Sequence, residues 1–157
     1  MIPIVTNNGP NMNDNTRIRS IDYSLLIVRV VVGSIFLAHG AQKLLGAFGG
    51  PGLAGVVEGM GPLGYFVTAG EFFGALGLLF GVLPRFSAGA LVVIMLGAIG
   101  QVHGAKGFFA SDGGFEYNLA LIGLLLPILI SGPGRLAVSE HLRLGPSTSK
   151  KETGILA

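Results

Sequence analysis

Residues 22–45 read DYSLLIVRVVVGSIFLAHGAQKLL. The stretch is apolar along most of its length. As a helix rising 1.5 Å per residue it reaches about 36 Å, more than the roughly 30 Å hydrocarbon core of a bilayer. It therefore reads as a transmembrane helix, with Arg29 in its interior and His39, Gln42 and Lys43 toward its end. Three more apolar stretches follow, at about 63–83, 87–103 and 115–131. The last is marginal in length, and Pro127 predicts a kink within it. The expected fold is an all-α membrane protein, a four-transmembrane-helix bundle.

Composition supports that reading. Half of the 157 residues are hydrophobic and only 11% are charged, too few to cover a soluble domain of this size. The 27 glycines fit helices that pack closely in lipid. A formal charge of +2, with no basic stripe interleaved with aromatics, argues against a nucleic-acid partner. Cysteine is absent, which excludes disulfides, thiol relays, zinc–thiolate sites and cysteine-held iron–sulfur clusters.

The chain divides into a polar, asparagine-rich segment at 1–20, a four-helix domain at 21–134 and a basic tail at 135–157. The first segment reads as a disordered tail, and the apolar run behind it is too long for a signal peptide. Arg17, Arg19, Arg85, Arg135, Arg143, Lys150 and Lys151 fall on one side of a four-span topology, with only Lys43 and Lys106 on the other. The positive-inside rule then puts both termini in the cytoplasm.

Gly70, Gly74, Gly77 and Gly81 recur on one face of the second span. That ridge, and Gly97, Gly100 and Gly104 on the third span, are expected to receive a neighbouring helix backbone. Residues 53–60, between the first two spans, suit a short helix at the interface.

An ionisable side chain inside the membrane costs about 3 kcal/mol on insertion scales, so each demands a partner or a purpose. Counted from the span ends, Arg29 is about 10 Å deep from the cytoplasmic side and Glu71 about 12 Å deep from the outer side. About 8 Å of depth then separates them, which two extended side chains can bridge. An Arg29–Glu71 ion pair is expected near the midplane, fixing helix register or flooring a ligand pocket. His39, Lys43, His103, Lys106 and Glu116 gather in the outer third of the bundle. Histidines there can simply reach headgroups, exchange protons beside a redox ligand or, less favourably, hold a haem between His39 and His103. Lysines at helix ends usually snorkel. Phe108, Phe109, Phe115 and Tyr117 suit an aromatic belt or a stacking surface for a quinone-like ring.

Four segments carry a family resemblance: LLIVRVVVGSIFLAHGAQKLLGAFGG at 25–50, EFFGALGLLFGVLPR at 71–85, IMLGAIGQVHGAKGFF at 94–109 and GGFEYNLALIGLLLPILISGPGRLAV at 113–138. In this order they resemble the DoxX family of small bacterial membrane proteins, over about 23–138. The motifs are HG-x-x-K at His39–Lys43, a glutamate at Glu71 and G-x-E-Y ending at Glu116 and Tyr117. The family takes its name from the small subunit of a quinol oxidase and thiosulfate–quinone oxidoreductase system, and other members act as partners in redox-stress assemblies. The resemblance places the family pattern on Arg29, His39, Gly40, Lys43, Glu71, His103, Glu116 and Tyr117. The family's usual proline after the tyrosine is Asn118 here.

The resemblance implies a quinone- or quinol-linked redox subunit, not a complete enzyme, with His39, Lys43, Glu71, His103, Glu116 and Tyr117 as candidate ligand-binding residues. No catalytic residue and no metal site are assigned. The expected ligand is a quinone or quinol, ahead of haem. Expected partners are membrane lipids and a larger redox subunit or other membrane complex, with a homo-oligomer left open. The alternative is a non-catalytic scaffold or assembly partner, in which the polar residues only set helix register.

Overall fold

A computed structural model of the chain describes residues 12–143 and is all-helical, with no strand among them. Six α-helices follow in order: α1 Met12–Leu45, α2 Gly52–Met60, α3 Leu63–Phe80, α4 Pro84–Ala98, α5 Glu116–Ser131 and α6 Val138–Arg143. A π-helical turn, Ile99–His103, and a 3-10 turn, Gly104–Lys106, prolong α4. The most extensive packing is of α1 on α3, followed by α4 on α5 and α3 on α4, while lighter contact between α5 and α1 closes the bundle. The short α2 lies against α1 and α3.

Helical periodicity accounts for the core. Val32 and Phe36 of α1, Ala75 and Leu78 of α3, Ala88, Leu91 and Met95 of α4, and Leu121, Leu125 and Ile128 of α5 recur at offsets of three and four. The opposite faces are apolar too: Ile27, Phe66, Phe73, Phe80, Phe86, Val93 and Ile130 are all exposed. A helix that is hydrophobic all round belongs in lipid. Three helical stretches, Thr16–Leu45, Leu63–Phe80 and Pro84–Lys106, are long and apolar enough to cross a membrane. The fourth, Glu116–Ser131, is apolar but has 16 residues, or about 24 Å of helix.

The structure revises several expectations. Residues 12–20, expected as part of a disordered tail, continue α1 as helix; residues 1–11, and 144–157 of the basic tail, lie outside the described residues. The tight turn between α3 and α4 is Gly81–Leu83 instead of 84–86. Gly81 takes a left-handed φ of 69°, and its N–H caps the carbonyls of Gly77 and Leu78. Pro84 starts α4, where its missing N–H costs nothing.

The glycine ridge does not receive a helix backbone: Gly70 faces Ile94, Gly74 faces Leu91, Gly77 faces Ser87 and the Val82 carbonyl, and Gly81 faces Arg29 and Ala137 of the loop before α6. Gly97 and Gly100 have no neighbour within 4 Å of a would-be Cβ, so they do not receive a helix. Among the glycines within the α-helices, the closest approach to another helix's backbone is at Gly40 of α1. A Cβ there would lie 2.7 Å from both N and Cα of Phe72 on α3.

Candidate functional site

The Gly40–Phe72 contact sets the register of the antiparallel α1–α3 pair. Gly33, two turns back along α1, faces Leu79, two turns on along α3. Lys43, one turn beyond Gly40, therefore comes level with Glu71. Its Nζ donates to Glu71 Oε1 at 2.5 Å. The carboxylate is 3% exposed and the lysine 28%. Glu71 Oε2 is buried without a hydrogen-bond partner, as is Thr68 Oγ1 one turn earlier on α3. A buried carboxylate oxygen without a donor is costly, so it marks a place where a donor is missing.

The expected Arg29–Glu71 pair does not form. Arg29 is buried, but Nε donates to Leu78 O at 2.9 Å, Nη2 to Leu79 O at 3.3 Å and Nη1 to Pro133 O at 3.1 Å. Leu78 and Leu79 belong to the last turn of α3, where carbonyls lack intrahelical donors and carry the negative end of the helix dipole. The guanidinium fork thus closes the end of α3 and ties it to the loop after α5. Glu71 lies seven residues from Leu78, about 10 Å along the helix. Reckoning depth from span ends misplaced both groups.

Around the Lys43–Glu71 pair lies a cavity of about 320 Å³, at the small end of ligand pockets. Phe36, His39 and Lys43 of α1, Glu71 of α3 and Met95 of α4 line it. His103 from the π-helical turn and Tyr117, Asn118 and Leu121 of α5 complete the wall. Ala110, Gly113 and Gly114 bring in the loop before α5. That loop folds back on itself, with Phe115 N bonded to Gly107 O and Glu116 N to Phe108 O. Phe108 makes edge-on contacts with Phe109 and Phe115.

His103 Nδ1 lies 2.7 Å from Gly113 O. A carbonyl can only accept, so Nδ1 carries the proton, and in the neutral ring Nε2 is the acceptor. Asn118 is buried and its Nδ2 contacts Met95 Sδ at 3.4 Å.

Of the residues singled out from sequence, His39, Lys43, Glu71, His103 and Tyr117 meet at this cavity, while Glu116 is not among its lining residues. One residue before Tyr117, it is turned about 100° around α5. Thr68 was not singled out, and Asn118 was noted only as a departure from the family pattern, not as a site residue. A buried amide and a buried hydroxyl inside apolar helices were the available signals. Among the described residues, no three His, Asp or Glu side chains are placed to hold a metal ion. A larger groove of about 650 Å³ opens at the other end of the bundle. No histidine lines it and it holds no unpartnered buried polar atom, so the smaller cavity is the candidate site.

Comparison with known proteins follows the same lines. The DoxX family model matches residues 24–104, more than half the chain. A Bacillus subtilis protein named "Putative oxidoreductase CatD" is 28% identical over 116 residues, covering 70% of this chain and 81% of the relative. An uncharacterized membrane protein of Mycobacterium tuberculosis is 29% identical over 143 residues, covering 76% and 81%. An uncharacterized protein of Haemophilus influenzae is 34% identical over a shorter 66 residues. No solved structure matches the chain.

Proposed function

The chain belongs to the DoxX family, and from that premise we propose that it is a quinone- or quinol-linked redox subunit of the bacterial cytoplasmic membrane. The observation that carries the proposal is the buried, unpartnered Oε2 of Glu71 beside a head-group-sized cavity lined by two histidines, a lysine and a tyrosine. A quinone ring offers two carbonyl acceptors, and its reduced form offers two hydroxyl donors. Lys43 and the Tyr117 hydroxyl can donate to carbonyls; Glu71 Oε2 and His103 Nε2 can accept from hydroxyls. Glu71 and the histidines supply groups able to take the protons released when a quinol is oxidised. The apolar walls, Phe36 and Leu121, suit the ring faces. The cavity's volume favours a single ring over a porphyrin. The chain has no cysteine to hold an iron–sulfur cluster, and in this reading the electrons released by the quinol pass to a partner subunit.

We further propose that α1, α3, α4 and α5 all cross the bilayer with both termini cytoplasmic, which faces the cavity outward. The basic residues Arg17, Arg19, Arg85 and Arg135 at the opposite end support this orientation. Snorkelling or local thinning of the bilayer would accommodate the short α5.

The deciding experiment is titration of the purified protein in detergent with short-chain ubiquinone and menaquinone analogues, together with its visible spectrum. Saturable binding weakened at least tenfold in His39→Ala and Glu71→Gln supports the reading. Equal binding by all three proteins, or none, leaves the scaffold role, in which Lys43–Glu71 serves only to lock α1 against α3.

A further inference from the structure

The groove at the other end of the bundle has chemistry of its own. Its walls are apolar, from Ile18, Ile21 and Leu25 of α1 and from Leu83 and Phe86 at the α3–α4 turn. Two arginines, Arg85 and Arg135, sit in its rim, and both are exposed. Arg85 Nη2 makes a 3.3 Å bond to Ile130 O, and its guanidinium lies against Gly132, where a would-be Cβ is 3.3 Å from Nη2. Gly132 has a φ of 91°, so the position is held open for the arginine by a residue that takes that conformation freely.

Two carboxylates also line the groove. Asp22 accepts from the backbone N–H of Arg135 at 2.8 Å, and Glu140 has a partner of its own. Neither arginine is in ion-pair contact with a described carboxylate, although the two carboxylates match the two arginines in formal charge. The first turn of α4 adds the amides of Arg85 and Phe86, which lack intrahelical acceptors and carry the positive end of its dipole.

We propose that this groove binds an anionic phospholipid, its phosphate between Arg85 and Arg135 and the start of an acyl chain along Ile21, Leu25, Leu83 and Phe86. The head group follows from which groups are engaged. Two guanidiniums outside any ion pair with a described carboxylate offer N–H donors to a phosphate. With Asp22 already bound to the Arg135 amide, an anionic head group is favoured over a zwitterion. The apolar wall next to them suits a lipid over a free anion, because it gives an acyl chain a packing surface that a free anion cannot use. The assignment depends on the helices lying in a membrane, not on which leaflet the groove faces, and it is independent of the cavity beside Glu71.

Native mass spectrometry of the detergent-solubilised protein, given equal phosphatidylglycerol and phosphatidylcholine, tests it. Wild type is expected to carry several-fold more phosphatidylglycerol adducts. The Arg85→Gln/Arg135→Gln protein should lose at least threefold of that preference, each single variant should fall between, and Arg85→Lys/Arg135→Lys should keep part of it. Lys106→Gln, which removes one charge at the other end, should match wild type. The proposal fails if the double glutamine variant keeps the full preference. It fails equally if Lys106→Gln lowers the preference as much as the single arginine variants, which would assign it to net charge. Displacement of the lipid by inorganic phosphate alone would reassign the groove to a free anion and overturn the lipid. If the double variant does not fold, the single variants decide.

Discussion

Lys43 Nζ and Glu71 Oε1 lie 2.5 Å apart, one near the end of α1 and the other midway along α3, with the second carboxylate oxygen buried and unpartnered. The pair is one-sided: the lysine reaches partly into the open and the glutamate does not. Removing either member should therefore have unequal consequences. Lys43→Met strands a buried charge and should cost roughly 2–3 kcal/mol, near the low end for a buried pair because the lysine is partly exposed. Glu71→Gln should cost less than Lys43→Met, since it leaves the lysine access to solvent. Thermal unfolding of Lys43→Met, Glu71→Gln and the double variant in detergent measures this. A double variant less stable than Lys43→Met would contradict it.

Arg29 closes α3 through three carbonyls, two of them in its last turn. Lysine cannot present that planar fork, so Arg29→Lys should lose about 2 kcal/mol. Arg29→Met leaves the Leu79 and Pro133 carbonyls without donors at about 1–3 kcal/mol each, while Leu78 O keeps the Gly81 N–H, and should accumulate less folded protein than Arg29→Lys. Yield and unfolding midpoint are the readouts; near-wild-type behaviour of the methionine variant would refute the assigned role.

Gly40 and Gly97 give a matched pair. A methyl at 40 meets the Phe72 backbone at 2.7 Å, whereas a methyl at 97 meets nothing within 4 Å. Gly40→Ala should destabilise by about 1–3 kcal/mol by forcing α1 and α3 apart. It should also weaken ligand binding, because the Lys43–Glu71 pair depends on that separation. Gly97→Ala should be neutral or stabilising by up to about 1 kcal/mol through helix propensity. Similar effects of the two substitutions would mean that α1 and α3 do not meet at Gly40.

The native chain has no cysteine, so single cysteines at Ser20, Ser111 and Ser139 report sidedness cleanly. With four spans and cytoplasmic termini, a membrane-impermeant maleimide should label Ser111→Cys in intact spheroplasts. It should reach Ser20→Cys and Ser139→Cys only after lysis. If α5 does not cross, positions 111 and 139 will react from the same side.

Much of the bundle is legible before any coordinate is known. The apolar runs locate the four long helices, but they put the turn at 84–86 and Gly81 on the packing ridge, whereas Gly81 begins the turn and Pro84 starts α4. His39, Lys43, Glu71, His103 and Tyr117 are detectable because a polar side chain in an apolar helix is conspicuous one residue at a time. Asn118 and Thr68 are less conspicuous because uncharged side chains carry a smaller penalty.

Sequence alone determined the membrane character and the helices of this protein, because both follow from composition and short-range periodicity. Which charges pair was decided by tertiary structure. Depth counted from helix ends carries an error of at least one turn, about 5.4 Å, and that is enough to exchange Arg29 for Lys43 as the partner of Glu71. The α1–α3 register is fixed instead by the close approach of Gly40 to Phe72, a contact between residues far apart in the chain. The same register gives Arg29 to the carbonyls at the end of α3 and leaves Glu71 Oε2 facing no donor.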